Sequence, residues 1–202
     1  MDVPRTDQPM RSPVPDIDDP RCSWARNTSE PMTSYHDGEW GRPSHEDHYL
    51  FEMLVLEGAQ AGLSWATVLN KRENYRRAMD GFDFDRIAGY GQTETDRLLS
   101  DPGIIRNRLK VGSAVRNAQA FLRVREEFGS FDAYLWDRVD GTPVVGHWIT
   151  PEEVPVTTPL ADRLSRDLKR RGFTFVGGTI TYSYLQATGV VEDHLVGCPA
   201  KP

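Results

Sequence analysis

One stretch constrains this chain more than any other: the apolar run from Leu50 that ends in Glu57-Gly-Ala-Gln-Ala-Gly-Leu-Ser-Trp65. At 100° per residue from Leu50, the side chains of Met53, Leu54, Glu57 and Ala61 fall within about 60° of it. The pattern predicts a helix over 47–61 with a carboxylate in its apolar stripe. Burying a lone charge costs several kcal/mol, so Glu57 needs a partner, a proton or a ligand. Spacing leaves two readings open: a helix-end salt bridge to Arg72 or Arg76, or a binding-site carboxylate. Ser64 is a good N-cap for a following helix with Trp65 at its first position. That indole is core packing or a pocket wall.

The 202 residues suffice for one sizeable core or two lobes sharing one, and 38% apolar with 27% charged residues is ordinary for a globular domain. No stretch approaches the roughly 20 apolar residues of a membrane span, and the N-terminus has no apolar signal-peptide core. Residues 1–20 hold five prolines and five aspartates and read as a disordered acidic tail. A single domain is expected over 21–199.

A net charge of −6 argues against a nonspecific nucleic-acid coat, but the charge is uneven. Residues 103–125 carry six basic residues (Arg106, Arg108, Lys110, Arg116, Arg123, Arg125) and no acid, and residues 163–171 carry five basic residues and one acid, Asp167. Local basic faces can dock phosphates or simply be solvated helix surfaces.

Further helices are expected over 64–79, 92–100, 106–128, 131–137, 159–171 and 177–189. The 106–128 helix has Leu109, Ala114, Ala118, Phe121, Leu122 and Phe128 as apolar positions. Asp83 or Asp85 is placed to cap a segment after the Gly81 break. Residues 21–40 read as an ordered loop with one short helix, and 140–158 as a Pro- and β-branched-rich loop. Strand candidates are few, so the fold class is all-α. The helix over 92–100, the Pro102-Gly103 turn and the basic helix after it form a helix-hairpin-helix pattern, whose free N–H groups can face a DNA phosphate. A plain αα-hairpin has the same pattern.

His194 and Cys198 are four residues apart, and Cys22 and His36 lie at the other end of the core. Together they make a Cys2His2 set with the tetrahedral N/S chemistry zinc prefers. Such a closed site would be structural, a clasp tying the N-terminal loop to the C-terminus. Free buried thiols with surface histidines, or a Cys22–Cys198 disulfide, are the alternatives.

Several blocks together resemble the bacterial DNA-3-methyladenine glycosylase I family. They are Cys22-Ser-Trp24, Tyr35-His-Asp-Gly-Glu-Trp40-Gly, the whole Leu50–Trp65 stretch, Lys71-Arg-Glu-Asn-Tyr75, Gly103-Ile-Ile-Arg-Asn-Arg108, Lys169-Arg-Arg-Gly-Phe-Thr-Phe-Val-Gly177 and Asp193-His-Leu-Val-Gly-Cys198. The resemblance runs collinearly over about 21–199. It implies a helix-hairpin-helix DNA glycosylase fold and hydrolysis of the N-glycosidic bond of 3-methyladenine in alkylated double-stranded DNA. It also implies a structural Zn2+ on Cys22, His36, His194 and Cys198. Glu57 matches the base-recognition carboxylate, and Tyr35 and Trp65 match the groups that bond and stack the base. Trp24 and Trp40 match further walls. Gly62 and Leu63 match the turn that fills the gap in the DNA stack. Gly103, Arg106 and Arg108, with Lys110 just beyond, match the phosphate anchor. One position departs from the family pattern: Met32 stands where a second tyrosine is common. A monomer acting on DNA in the bacterial cytoplasm, at the nucleoid and without a membrane, is expected. The rival readings are a non-catalytic, zinc-stapled DNA-damage-binding module and a zinc-stapled structural protein, for which the pocket aromatics would be needless.

Overall fold

The computed structural model describes residues 19–202, so the expectation for the acidic tail lies almost wholly outside the described residues. Ten helices follow one another among them: α1 (Glu30–Gly38), α2 (Asp47–Gln60), α3 (Trp65–Leu69), α4 (Arg72–Ala78), α5 (Phe84–Ala88), α6 (Gln92–Ser100), α7 (Arg108–Phe128), α8 (Phe131–Trp136), α9 (Pro159–Arg170) and α10 (Gly178–Ala187). The all-α expectation holds, with one addition. Val144–Val145 (β1) and Val191–Glu192 (β2) form a two-residue parallel pair that brings the 140–158 loop to the C-terminal segment. No helix among the described residues is long and apolar enough to cross a membrane.

Helix α2 is the axis of the molecule. Ten consecutive residues, Leu50 to Ala59, are buried, so this helix has no wet face. It packs against α7, α8 and α10 on different sides. A helix enclosed all round must neutralise any charge it carries. Glu52 is neutralised: its carboxylate takes Arg72 Nε at 2.6 Å and Arg76 at 2.9 Å, while Arg72 also reaches Glu39 at 2.8 Å.

Three sequence expectations change. The helix over 64–79 is two helices, broken at Asn70 and Lys71; Lys71 leaves helical geometry (φ −103°, ψ 0°), and its ammonium instead holds the carbonyls of Pro102 and Gly103 at 3.0 and 3.3 Å. The helix expected from 106 starts at Arg108, because the Asn107 side chain accepts from the Leu109 and Lys110 amides and caps it there. Leu109, expected in the core, is 66% exposed; the buried stripe runs through Val111, Ala114, Ala118, Phe121 and Val124, and Leu109 points away from it. Ser64 and Asp83 cap as their chemistry suggests, accepting from Thr67 N and Arg86 N.

Removing one partner of a buried ion pair strands the other charge. Glu52→Gln should destabilise the fold by about 3 kcal/mol in urea unfolding, against a near-neutral change for Glu73→Gln on the exposed side of the same arginine cluster.

Candidate base-binding site and metal centre

The cap at Ser64 starts α3 so that Trp65 sits at its first turn, facing Tyr35 of α1 with ring centroids 5.2 Å apart. Trp24, on a short 3₁₀ turn, meets Tyr35 at 6.4 Å and Trp40 edge-on at 5.1 Å. These four rings and Glu57 line one cavity of about 450 Å³. All five residues singled out in the sequence for base binding are thus brought together. Met32 lines the same cavity, as do Gln60 and Gln186. Gln60, not among the residues singled out in the sequence, lies within the Glu57–Trp65 stretch three residues after Glu57; Gln186 carries no motif, sits on α10 and is oriented by Asp193, which accepts from its amide at 2.8 Å.

Glu57 is 4% exposed, and its Oε2 has no hydrogen-bond partner. The salt-bridge alternative fails, because Arg72 and Arg76 are both engaged by Glu52. Burial alone pushes the Glu57 carboxyl up to about 8. Tyr35 is held well above the ordinary phenol range by burial and by the neighbouring Glu57 charge, so it stays an O–H donor. The Trp65 indole N–H is buried and likewise unpartnered. The cavity therefore offers flat apolar faces, donors on two rings and one desolvated carboxyl. Its chemistry suits a planar heterocycle, above all a cationic one.

Behind the aromatic wall, the ligand atoms of Cys22, His36 and Cys198 lie within 4.8 Å of one another, all buried. His36 Nε2 is 3.6 Å from Cys198 Sγ. The ring of His194 stands edge-on to His36 with centroids 4.8 Å apart, its Nε2 3.3 Å from the His36 carbonyl, outside the three-residue set. Each histidine binds a carboxylate through Nδ1: His36 to Asp37 at 2.7 Å and His194 to Glu192 at 2.6 Å. Carboxylates on Nδ1 leave Nε2 as the metal-facing atom, the usual outer shell of a histidine ligand. Both cysteines are free thiols, so the disulfide alternative does not hold. The donor set and its surroundings fit a metal with N/S preference.

At the cavity's outer edge, Gly62 takes φ +75° in the turn between α2 and α3, and Leu63 beside it is 41% exposed. In the hairpin, Gly103 is required by crowding: an added Cβ would lie 2.9 Å from Asp101 Oδ1 and 3.1 Å from the Asn74 side chain. Its amide donates to Asp101 at 2.7 Å. Arg106 and Arg108 are exposed and have no ion-pair partner among the described residues. Lys110 is different: its ammonium turns inward to the carbonyls of Ala59 and Ala61. The second basic run lies elsewhere. Asp167 gathers Arg138, Arg170 and Arg171, and Arg171 pairs with Glu127 near the C-terminal end of α7. The hairpin is at the other end of that helix, about 30 Å away at 1.5 Å per residue.

A helical chain with a glycine hairpin before a basic helix and an open-mouthed aromatic cavity has the helix-hairpin-helix DNA glycosylase fold. Residues 24–201 match the methyladenine glycosylase family, and the chain belongs to it. DNA-3-methyladenine glycosylase 1 of Escherichia coli is 45% identical over 183 residues, which cover 90% of this chain and 97% of that one. A crystal structure of 3-methyladenine DNA glycosylase I superposes with a TM-score of 0.87 at 46% identity, covering 90% and 100% of the two chains. The Staphylococcus aureus enzyme, whose structure concerns 3-methyladenine recognition, superposes with a TM-score of 0.85 at 36% identity, covering 87% and 93%.

The Glu57 carboxyl has its folded pKa raised above the unfolded 4.5. Between that value and about 8 the folded protein holds a proton that the unfolded chain has released, so stability falls as pH rises through the window. Glu57→Gln removes this penalty. It should stabilise the ligand-free protein by about 3 kcal/mol at pH 7, with the gap closing below pH ~4, as read by thermal melting across pH.

Proposed function

We propose that this chain is a base-excision repair hydrolase that releases 3-methyladenine from alkylated double-stranded DNA. Residues 21–199 form the catalytic unit, and the chain works as a monomer on chromosomal DNA in the cytoplasm. The observation that carries this reading is the buried, unpaired Glu57 facing a cavity walled by Tyr35, Trp65, Trp24 and Trp40.

A glycosylase reaches its bond by turning the nucleotide out of the stack, and a damaged base costs least to unstack. Methylation at N3 makes adenine cationic while it is attached to the sugar. The leaving group is thus activated before it binds. Water attacks C1′, the C1′–N9 bond breaks, and its electron pair neutralises the departing ring. A proton from the water is released, leaving an abasic site and neutral 3-methyladenine. No general acid is needed. The aromatic rings hold the cation by stacking, worth about 1–2 kcal/mol when desolvated. Glu57 accepts from the base edge and, once ionised beside the cation, stabilises the positive charge until the bond breaks. Gly62 and Leu63 fill the gap in the duplex. The Gly103 hairpin with Arg106 and Arg108 meets the backbone.

Cys22, His36, His194 and Cys198 are assigned to one structural Zn2+. When bound it supplies no chemistry to the reaction; it joins the chain ends behind the pocket. Trp24 packs edge-on to His36 at 5.0 Å, and Trp40 packs edge-on to His194 at 4.6 Å. Fixing the histidines therefore fixes two pocket walls.

The deciding assay is release of free 3-methyladenine from methylated duplex by wild type, Glu57→Gln and Trp65→Ala. Both variants should lose at least tenfold in kcat/KM. Wild-type kcat/KM should climb with pH through a midpoint near 8, where Glu57 is half ionised in the free enzyme, and Glu57→Gln should be flat. Unchanged release by both variants would remove the site assignment, and a folded wild type that binds damaged DNA without releasing base would make this a recognition module.

Metal analysis of the purified chain should find one zinc per molecule. Cys22→Ser should lose it, with lower melting temperature and weaker quenching of tryptophan fluorescence by free 3-methyladenine. A metal-free chain of equal stability would end the zinc assignment.

A further inference from the structure

Lys110 belongs by sequence to the basic hairpin, yet its ammonium is held by backbone carbonyls of another helix. Nζ lies 2.7 Å from Ala59 O and 2.7 Å from Ala61 O. Those carbonyls terminate α2, the helix that carries Glu57, and begin the turn that carries Gly62 and Leu63. Lys110 is the third residue of α7, and the Asn107 cap accepts from its amide. A cation in the first turn of a helix opposes the dipole of its own helix, and α7 has no acid in that turn to offset it. Burial also lowers the Lys110 pKa, a second cost of the position. The compensation comes from α2, whose last carbonyls lack intrahelical partners and sit at the negative end of that helix's dipole.

The turn is otherwise lightly held. Leu63 N donates to Gln60 O at 2.6 Å, Gly62 has nothing within 4 Å of where a side chain would start, and Leu63 is exposed. One side chain thus bridges the segment bearing Arg106 and Arg108 to the turn bearing Leu63 and to the end of the Glu57 helix.

We propose that Lys110 is a positioning residue that couples docking of the hairpin on the DNA backbone to the placement of the Gly62-Leu63 turn in the duplex, and through it to extrusion of the base toward Glu57. This rests on the glycosylase reading above. It differs from a phosphate contact in what it controls. A phosphate contact sets affinity and its salt dependence, whereas a positioning strut sets the rate after binding.

The test uses full-length Lys110→Met, Lys110→Gln and Lys110→Arg. Each is read by melting temperature, by binding of free 3-methyladenine through tryptophan fluorescence, by kcat and KM on methylated duplex, and by fluorescence of 2-aminopurine placed opposite the lesion. Lys110→Met should bind the free base as wild type does and keep its KM within about threefold. Its kcat should fall at least tenfold, and the 2-aminopurine signal of base extrusion should be lost. Lys110→Arg, which can donate to both carbonyls, should recover most of kcat, with Lys110→Gln between. If Lys110→Met does not fold, the Gln and Arg variants decide on the same readouts. A raised KM with a shallower salt dependence and unchanged kcat would overturn the inference in favour of a phosphate contact, as would kcat unchanged in Lys110→Gln. A wild type that extrudes the base without releasing it would strike the glycosylase reading instead, and the 2-aminopurine readout would still judge Lys110.

Discussion

The structure depends on one buried carboxyl that has no partner. Four acids are buried among the described residues: Glu52, Glu57, Glu192 and Asp193. Three have partners. Glu52 holds two arginines, Glu192 holds His194 and Lys201, and Asp193 accepts from Tyr182, Trp148 and Gln186. Glu57 is the exception, with an oxygen that meets no donor. An unpaired buried carboxyl costs stability and pulls in water wherever packing allows it. Holding it within the core takes a helix packed by several neighbours, and α2 contacts α7, α8 and α10. Five of the elements nearest the site, α1, α2, α3, α10 and the 3₁₀ turn at Trp24, contribute a side chain to the cavity wall.

That enclosure has to be closed from both ends of the chain. Trp24 and Trp40 lie near the start and Gln186 near the end, and the cavity needs all three. No long helix passes between these segments. What joins them is the cluster of Cys22, His36 and Cys198 with His194 beside it, and two backbone hydrogen bonds, Gly41 N to Gln186 O at 2.9 Å and Ser44 N to Thr188 O at 3.1 Å. The His36 ring is at once part of the donor cluster and the surface against which Trp24 packs, and the His194 ring beside it backs Trp40. Pocket shape and chain closure are therefore one problem, solved by the same side chains.

The residues legible in the sequence were those whose chemistry is local. Ser64 and Asp83 cap within three residues, and periodicity alone places Glu57 on the apolar face of α2. Periodicity could not show that α2 is buried all round, because a stripe and a cylinder look alike when most positions are apolar. Nor could it assign Arg72 and Arg76 to Glu52 instead of Glu57, since both acids lie on the same helix and the choice is made in three dimensions. The break at Lys71 was hidden for a similar reason: the lysine suits a helix, and what draws it out of one is a pair of carbonyls about 30 residues downstream. Asn107 was legible in principle as an N-cap, but the basic residues on either side extend the helical pattern across it. Gln60 and Gln186 are isolated polar residues on helices, and only the cavity shows that they share a site.

On the proposed function, the cost borne at Glu57 also accounts for how one carboxyl would separate a damaged base from a very similar undamaged one. In the empty cavity burial favours the neutral acid, with a pKa near 8. A neutral adenine brings no charge to reverse that preference; it meets a protonated carboxyl and flat rings that hold any purine about equally. A cationic base lowers the pKa of an adjacent carboxyl, so on that reading its binding would ionise Glu57 and create an ion pair in a low-dielectric site. Each unit by which the cation depresses that pKa adds about 1.4 kcal/mol of preference that the neutral base cannot obtain. Had Arg72 paired with Glu57 instead of Glu52, the carboxylate would already be ionised and satisfied, and the cation would gain little by displacing nothing. The division of labour between Glu52 and Glu57, five residues apart on one helix, thus turns one position into a structural ion pair and leaves the other responsive to charge.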